Sequence, residues 1–477
     1  MSKQNFKDRI KNKESTKEGM DARGPAGDRA TRQQAQPDQT SAGNSWISKN
    51  PELVRAVANI SFNSLSGYAI PTSDRNELIA PGIAVIDYVQ GIPAAGNPND
   101  VVNIAARKLY AEIRKENSGY ANYDPNDLMI YILALAEFYT AYSNVMRAMG
   151  LVASYDPFSR YKPRRLIEAL GFDFDDMIQN LPRYRSVLNA VNAQVSVFAA
   201  PDNIEYFKRQ FWLPSGIYND SANFKAQIMA YRPIVYRVFN DMHEGGGALE
   251  TKAYPYSNPD GSKLMTLADV TTMFEAMIDG LTNSADVGII SGDVRRYLAR
   301  VGAGSWSLPA VLEDYTVVSS VDYGTLAQME NVQIVGSPKD LSCLDIVQDN
   351  TLNYSTVVYR PEVGNTYVGA NVNPLILAHT NETTPEFVLD VTRMKAFADT
   401  PGTGENNLVD LAGTEFVTGI NLHNTYWQFQ IGSGVKNAQS AQCTGVTSTY
   451  QLVSGDIKLP SLSRTEAIQV GQLIFLY

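Results

Sequence analysis

Cysteine and histidine are nearly missing from this chain. Two cysteines, Cys343 and Cys443, and three histidines, His243, His379 and His423, are spread over 477 residues. Two isolated thiols build no disulfide framework, and neither residue type recurs at metal-ligand spacing. His243 precedes Glu244 without the HExxH spacing of a zinc helix. Gly245-Gly246-Gly247 has no Lys-Ser/Thr behind it, so it is not a phosphate loop. The VGAGSW run at 301–306 lacks the third glycine of a dinucleotide fingerprint. No apolar run of the secretory kind stands near the N-terminus, and the chain reads as cytosolic. These absences leave no metal, no cofactor and no catalytic group indicated.

Hydrophobic residues make up 44% and charged residues 19%, the values of a folded globular protein with much buried or interface surface. The length allows two or three domains. Charge is unevenly placed. Residues 303–477 hold 7 Lys/Arg against 17 Asp/Glu, whereas residues 1–17 hold six basic side chains and two acidic ones. Such asymmetry suggests two surfaces facing different partners, one of them polyanionic.

The stretch that organises the rest is Asp124 to Gly150. Asp124 is a helix cap, Pro125 fits the first helical position, and Gly150 is expected to end the helix in the left-handed conformation. Between them Glu137, Thr140, Asn144 and Arg147 share one narrow polar stripe on an otherwise apolar cylinder. That pattern describes a core helix. Glu137 and the Tyr-rich second half argue against a membrane span.

Residues 1 to about 42 hold almost no large apolar side chain except Phe6 and Ile10. This composition cannot offset its ordering entropy, so the segment reads as a mobile arm with a basic tip of Lys3, Lys7, Arg9, Lys11, Lys13 and Lys17. Trp46 opens the folded part and Pro51 starts a short helix. Asn99 and Asp100 then cap a helix whose Val101, Ile104, Ala105, Leu109 and Ile113 share a face. Further helices are expected from Pro163 to a stop at Gly171, from Asp173 to Asn192 with a break or kink at Pro182, and from Thr266 and Ser291 onward. Asp173, Asp175 and Asp176 sit where acids complement a helix N-terminus. The segment Phe224–Phe239 is ambiguous, and Pro233 makes any strand there an edge. Residues 244–263 read as a loop. Past Gly304, runs such as YTVVSSV, VQIVG, YSTVVYR, FVLDV, FVTGI, TYWQFQI and QLIFLY read as strands. The chain is thus an arm, an α-rich body to about residue 303 and a β-rich acidic portion.

Basic and aromatic residues interleave at Arg160, Lys162, Arg164 and Arg165, at Arg183 to Arg185, and at Lys208 to Trp212. The mixture suits a protein–protein contact better than a phosphate surface, because acids interrupt it.

The run NSGYANYDPNDLMIYILALAEFYTAYSNVMRAMGL (117–151) resembles the capsid proteins of picobirnaviruses. So do YDPFSRYKPRRLIEALGFD (155–173) and NIEYFKRQFWLPSGIYNDSANFKAQIMAYRP (203–233). The order also agrees: basic arm, Trp-Ile-Ser-Lys-Asn-Pro opening, central helix and YFKR segment, over roughly residues 44–240. The resemblance implies a coat protein of a small double-stranded RNA virus. It implies an α+β fold with a mainly α-helical shell domain and a β-rich protruding domain. The expected divisions are an arm at 1–42, a shell domain at 43–303, a protruding domain at 304–460 and a C-terminal strand at 461–477 that returns to the shell. The implied partners are the chain itself, as a symmetric homodimer and then an icosahedral shell, and packaged RNA held non-specifically by the arm, with no membrane. The implied place is the virion, with assembly in the host cytoplasm. A non-capsid RNA-binding protein and a hydrolytic enzyme working at loop 244–263 or Cys343 are the alternatives.

Overall fold

A computed structural model describes residues 70–71 and, with short breaks, 77–363, 384–398, 407–430 and 442–452. All of them lie in one compact unit, Phe62–Tyr477. The arm at 1–42, the Trp46 opening, the helix from Pro51 and the strand at 461–477 lie outside the described residues.

The chain begins with β1 (Ile70–Pro71) and β2 (Glu77–Gln90), then helices α1 (Val101–Glu116) and α2 (Pro125–Val152). Helices α3 (Lys162–Ala169), α4 (Phe174–Val195) and α5 (Glu205–Trp212) follow. Strands β3 (Tyr218–Asn219), β4 (Ile228–Pro233), β5 (Val235–Asn240) and β6 (Ala248–Ala253) precede α6 (Leu267–Thr282) and α7 (Ala285–Val301). Next come α8 (Tyr323–Glu330), β7 (Ile346–Asp349), β8 (Thr356–Val358), β9 (Glu362–Val363) and α9 (Pro385–Thr392). The last described elements are β10 (Ala396–Ala398), β11 (Asn407–Leu411), β12 (Glu415–Gln430) and β13 (Gln442–Leu452). The fold is mixed α+β.

The central sheet runs β13-β12-β2-β4-β3, with β1 added to β2. β12 is antiparallel to β2 and β4 is parallel to it. The β2–β12 register shifts between His423 and Thr425, opposite Pro81 and Gly82. Proline carries no N–H for the ladder, so a bulge there lets β2 stay in the middle of the sheet. A second sheet runs β5-β6-β7-β8, and a third runs β10-β11-β9.

Helix α2 is the core. Pro125 occupies its first turn, and the Asp127 carboxylate accepts from the Asp124 N–H at 2.7 Å. Helices α1, α3, α4 and α5 and strand β5 pack against it. It is long and apolar enough to cross a membrane, yet its apolar window is buried throughout within the protein.

Several expectations change. Gly150 does not end α2, which continues to Val152. A Cβ there would meet Val317 Cγ2 at 2.6 Å and Tyr315 Cε1 at 2.7 Å, and the Val317 N–H donates to the Gly150 carbonyl at 3.0 Å. Gly150 is a close-approach glycine. Gly171 does adopt a positive φ, 95°, after α3. In α1 the buried residues are Val102, Asn103, Ala106 and Ile113, whereas Val101 is 66% and Ile104 36% exposed. Asn103 decides the rotation. Its Nδ2 donates to the Val357 carbonyl at 3.2 Å and its Oδ1 accepts from the Val357 N–H at 2.8 Å. Helix α4 runs through Pro182 without a break, because that turn lies at the surface, where water can take the bond proline cannot make. The Phe224–Phe239 segment holds two strands in two sheets, with Pro233 closing the first; β3 pairs with Ile228 and Met229, so among the described residues β4 has no strand partner on that side at Pro233. FVLDV is helical, not extended: Thr384 Oγ1 accepts from the Phe387 N–H at 3.2 Å, and Pro385 follows it.

The stretch expected as an outer β-rich portion contributes to the body as well. β12 pairs along β2, and residues 305–320 lie on the helices through bonds to Ala200, Asn189, Asn192 and Gly150. FVTGI and TYWQFQI form the single strand β12. QLIFLY lies outside the described residues.

Gly150→Ala is therefore expected to destabilise the protein by about 1–3 kcal/mol, as overpacking does. Denaturant unfolding of the full chain measures this. Unchanged stability would mean the 315–317 segment is not seated on α2.

Candidate functional site

The polar stripe of α2 is fully buried, and each member has a partner. Arg237 Nη1 donates to Glu137 Oε1, its Nη2 to the Gln90 carbonyl at 2.7 Å, and its Nε to the Leu344 carbonyl at 2.9 Å. Thr140 Oγ1 donates to Gln90 Oε1 at 2.8 Å. Asn144 Nδ2 donates to the Tyr256 hydroxyl at 3.3 Å, and Asn144 Oδ1 accepts from Arg147 Nη2 at 2.9 Å. Arg147 Nη1 reaches the Tyr231 carbonyl at 2.7 Å.

Two further buried ion pairs flank this seam. Arg232 on β4 grips Asp87 on β2 with two bonds of 2.7 and 2.8 Å, and the same carboxylate accepts from Asn421 on β12. Arg209 on α5 grips Glu415 on β12 at 3.3 and 3.1 Å, with Gln210 and Gln328 completing the group. All three cations are arginine, whose fork satisfies a carboxylate and carbonyls together where water is excluded. These groups touch one another and the backbone. Their role is to join helix to sheet and strand to strand.

The expected candidates are dispersed. The six basic arm residues Lys3, Lys7, Arg9, Lys11, Lys13 and Lys17 lie outside the described residues, as does His379. Cys343 Sγ donates to the carbonyls of Asp340 at 3.1 Å and Glu362 at 3.3 Å. Cys443 lies on β13. His423 lies on β12, where burial and then the nearby Arg232 push its pKa down to about 3. Asp173 caps α4 by accepting from the Asp176 N–H at 2.9 Å, and Asp176 accepts from Tyr184 at 2.8 Å.

The basic–aromatic stretch is largely spent on internal pairs. Arg164 pairs with Asp175 and Glu168, Arg165 with Glu168, Arg185 with Glu313, and Lys208 with Glu205. Arg209 is buried. Arg160 lies outside the described residues. Arg164–Glu168, Arg165–Glu168 and Lys208–Glu205 are pairs within one helix, whereas the partners Asp175 and Glu313 come from other elements and are not signalled by local spacing.

Beside the 244–263 loop, Gly246, Gly247, Asp127, Asp241 and Asp286 border a cleft of about 180 Å³. Burial, and then Asp241 and Asp127, raise the Asp286 pKa. The cleft is smaller than ordinary ligand sites of about 300–1,000 Å³. Among the described residues no group of three or more His, Cys, Asp or Glu could hold a metal ion.

Exposed apolar side chains are more prominent. Val101 on α1, Val197 after α4, and Leu312 and Val318 on the strap after α7 are each 60% or more exposed. They stand on outer faces of the helical body rather than in a pocket.

Comparison with known proteins adds to this geometry. The picobirnavirus capsid protein family matches residues 46–404. A capsid protein precursor of human picobirnavirus is 27% identical over 340 residues, covering 67% of this chain and 60% of the relative. The chain thus spans about three fifths of the length of that curated relative. The X-ray crystallographic structure of the picobirnavirus capsid superposes with a TM-score of 0.71 at 20% identity, covering 90% of this chain and 88% of that one. The two share a fold.

Glu137→Gln would strand the Arg237 charge in the core, at an expected cost of about 3–5 kcal/mol. Replacing both residues with apolar ones of similar size should cost less than the single change. Urea unfolding of the three chains tests the pair. A single variant within about 1 kcal/mol of the parent would show that the pair does not hold the seam.

Proposed function

The chain belongs to the picobirnavirus capsid protein family, and from that premise we propose that it assembles as symmetric dimers into an icosahedral shell enclosing a double-stranded RNA genome. It is a viral capsid protein, a structural part of the virion and not an enzyme. The observation that carries the proposal is the extent of the match: 46–404 by family and 90% of the chain by fold.

Physical features support it. A capsid subunit must hold its shape while every face meets a neighbour, and of three buried Arg–carboxylate pairs here two tie a helix to a sheet and one ties β4 to β2. Exposed Val101, Val197, Leu312 and Val318 supply apolar area for contacts between copies. Isologous pairing and closed symmetry turn such contacts into a finite shell. In this reading the basic arm at 1–42 faces the lumen and meets RNA without sequence preference. The parts of 304–460 outside the central sheet face outward, where their acidic character keeps particles apart. Assembly takes place in the host cytoplasm.

The purified full chain is expected to form closed shells of uniform diameter by electron microscopy. Replacing Lys3, Lys7, Arg9, Lys11, Lys13 and Lys17 with Gln should leave the shells and lower their RNA content modestly, because a tip with six basic and two acidic residues neutralises little of a genome. A soluble dimer that binds RNA in a salt-sensitive way, without particles, would contradict the capsid reading. Unchanged RNA content would contradict the arm's role alone.

A further inference from the structure

Helices α1 and α7 pack side by side, and Asp293 of α7 is the point where they join. Its carboxylate accepts from Arg114 Nη1 at 3.1 Å, from the Tyr123 hydroxyl at 3.1 Å, and from Arg296 Nη2. Its backbone carbonyl accepts from Asn117 Nδ2 at 2.7 Å. Two guanidinium groups therefore share one buried carboxylate, which leaves the junction with an excess positive charge. Arg296 remains 67% exposed in spite of the pair.

Helical periodicity extends this junction along each helix. Arg107 is seven residues before Arg114 on α1, and Arg300 is four residues after Arg296 on α7, so each pair shares a helix face, and the two faces are joined where Arg114 and Arg296 meet Asp293. Lys108 and Lys115 flank the stripe on α1. Arg107, Lys108, Lys115 and Arg300 are exposed, and none of them makes an ion pair among the described residues. Arg295, on the neighbouring face, donates to the Val197 carbonyl at 2.6 Å and adds a further positive charge. The acids on the same two helices, apart from Asp293, are Glu112 and Glu116 on α1 and Asp286 at the far end of α7. The patch is thus strongly basic on a chain with a formal net charge of −10.

We propose that this α1–α7 stripe is a second contact for the phosphate backbone of duplex RNA, on the folded body and separate from the arm. The proposal rests on the capsid reading for its ligand and would place this face toward the lumen. Arginine forks match phosphate oxygens in pairs. Exposed cations on two adjoining helices suit contacts to the phosphate backbone, and so recognition of duplex RNA by shape and charge. The rival occupant is an acidic surface of a second copy, since residues 303–477 carry 17 acids against 7 bases.

The test uses the full-length chain with the six arm cations already changed to Gln, so that the arm does not mask the body. Into it go Arg107→Gln, Lys108→Gln, Lys115→Gln and Arg300→Gln, which spare the Asp293 junction. A control carries Arg183→Gln, Lys208→Gln, Lys252→Gln and Lys263→Gln, with the same change of net charge. Each protein is titrated with a 24-base-pair RNA duplex of arbitrary sequence across about 50 to 200 mM salt. The stripe variant should lose about tenfold or more in affinity at low salt and show a shallower salt slope, while the control stays near the parent. Affinity and slope equal to the control would overturn the proposal. So would a stripe variant that binds RNA normally but no longer forms particles, which would assign the face to a second copy. Failure of the parent itself to form particles would count against the capsid reading, while the titration would still judge the stripe.

Discussion

The structure depends on how one helix solves a solvation problem. Helix α2 is buried on all sides, and along it Glu137, Thr140, Asn144 and Arg147 present polar groups that water cannot reach. A buried charge without a partner costs several kcal/mol, so the surrounding chain has to supply partners in fixed places. Arg237 answers Glu137, Gln90 answers Thr140, and the Tyr231 carbonyl answers Arg147. These partners sit on β5, at the end of β2 and on β4. The seam therefore sets where both sheets meet the helix.

The flanking pairs carry the same constraint outward. Asp87 is held by Arg232 and also by Asn421, so β4, β2 and β12 are joined through one carboxylate. Glu415 at the start of β12 is held by Arg209 of α5. A chain that wraps back on itself over more than 300 residues is thereby fastened twice at one end of the β2–β12 pair, where Glu415 lies opposite Gln90 and Gly419 opposite Asp87. Removing one partner of such a pair leaves an uncompensated buried charge, so arrangements that separate the partners are strongly disfavoured. For the assembly proposed above, which would repeat one geometry many times, specificity of shape is the useful property.

Local chemistry was legible in the sequence. The Asp124-Pro125 start of α2, the Gly171 stop and the Asp173 cap all act through residues a few positions apart. Non-local pairing was not. Nothing near Glu137 in the sequence points to Arg237, and nothing near Asp87 points to Asn421. Gly150 resembled a helix stop because its other use, letting Val317 approach, depends on a strap more than 160 residues away. The face of α1 was misplaced because two apolar stripes were available, and Asn103 settled the choice by pairing with Val357. The α1–α7 stripe was hidden for the same reason, since its two halves are nearly 180 residues apart and are joined at Asp293. The family resemblance in 117–233 supplied the function that no catalytic motif could.

Native-state hydrogen exchange of the full chain tests the seam most directly. If the seam joins helix and sheets into one cooperative unit, amides of 128–151 should exchange as slowly as those of 83–90 and 228–240, through a single global opening. Faster, independent exchange of α2 would contradict the account, because it would mean the helix can leave its buried partners while the sheets stay intact.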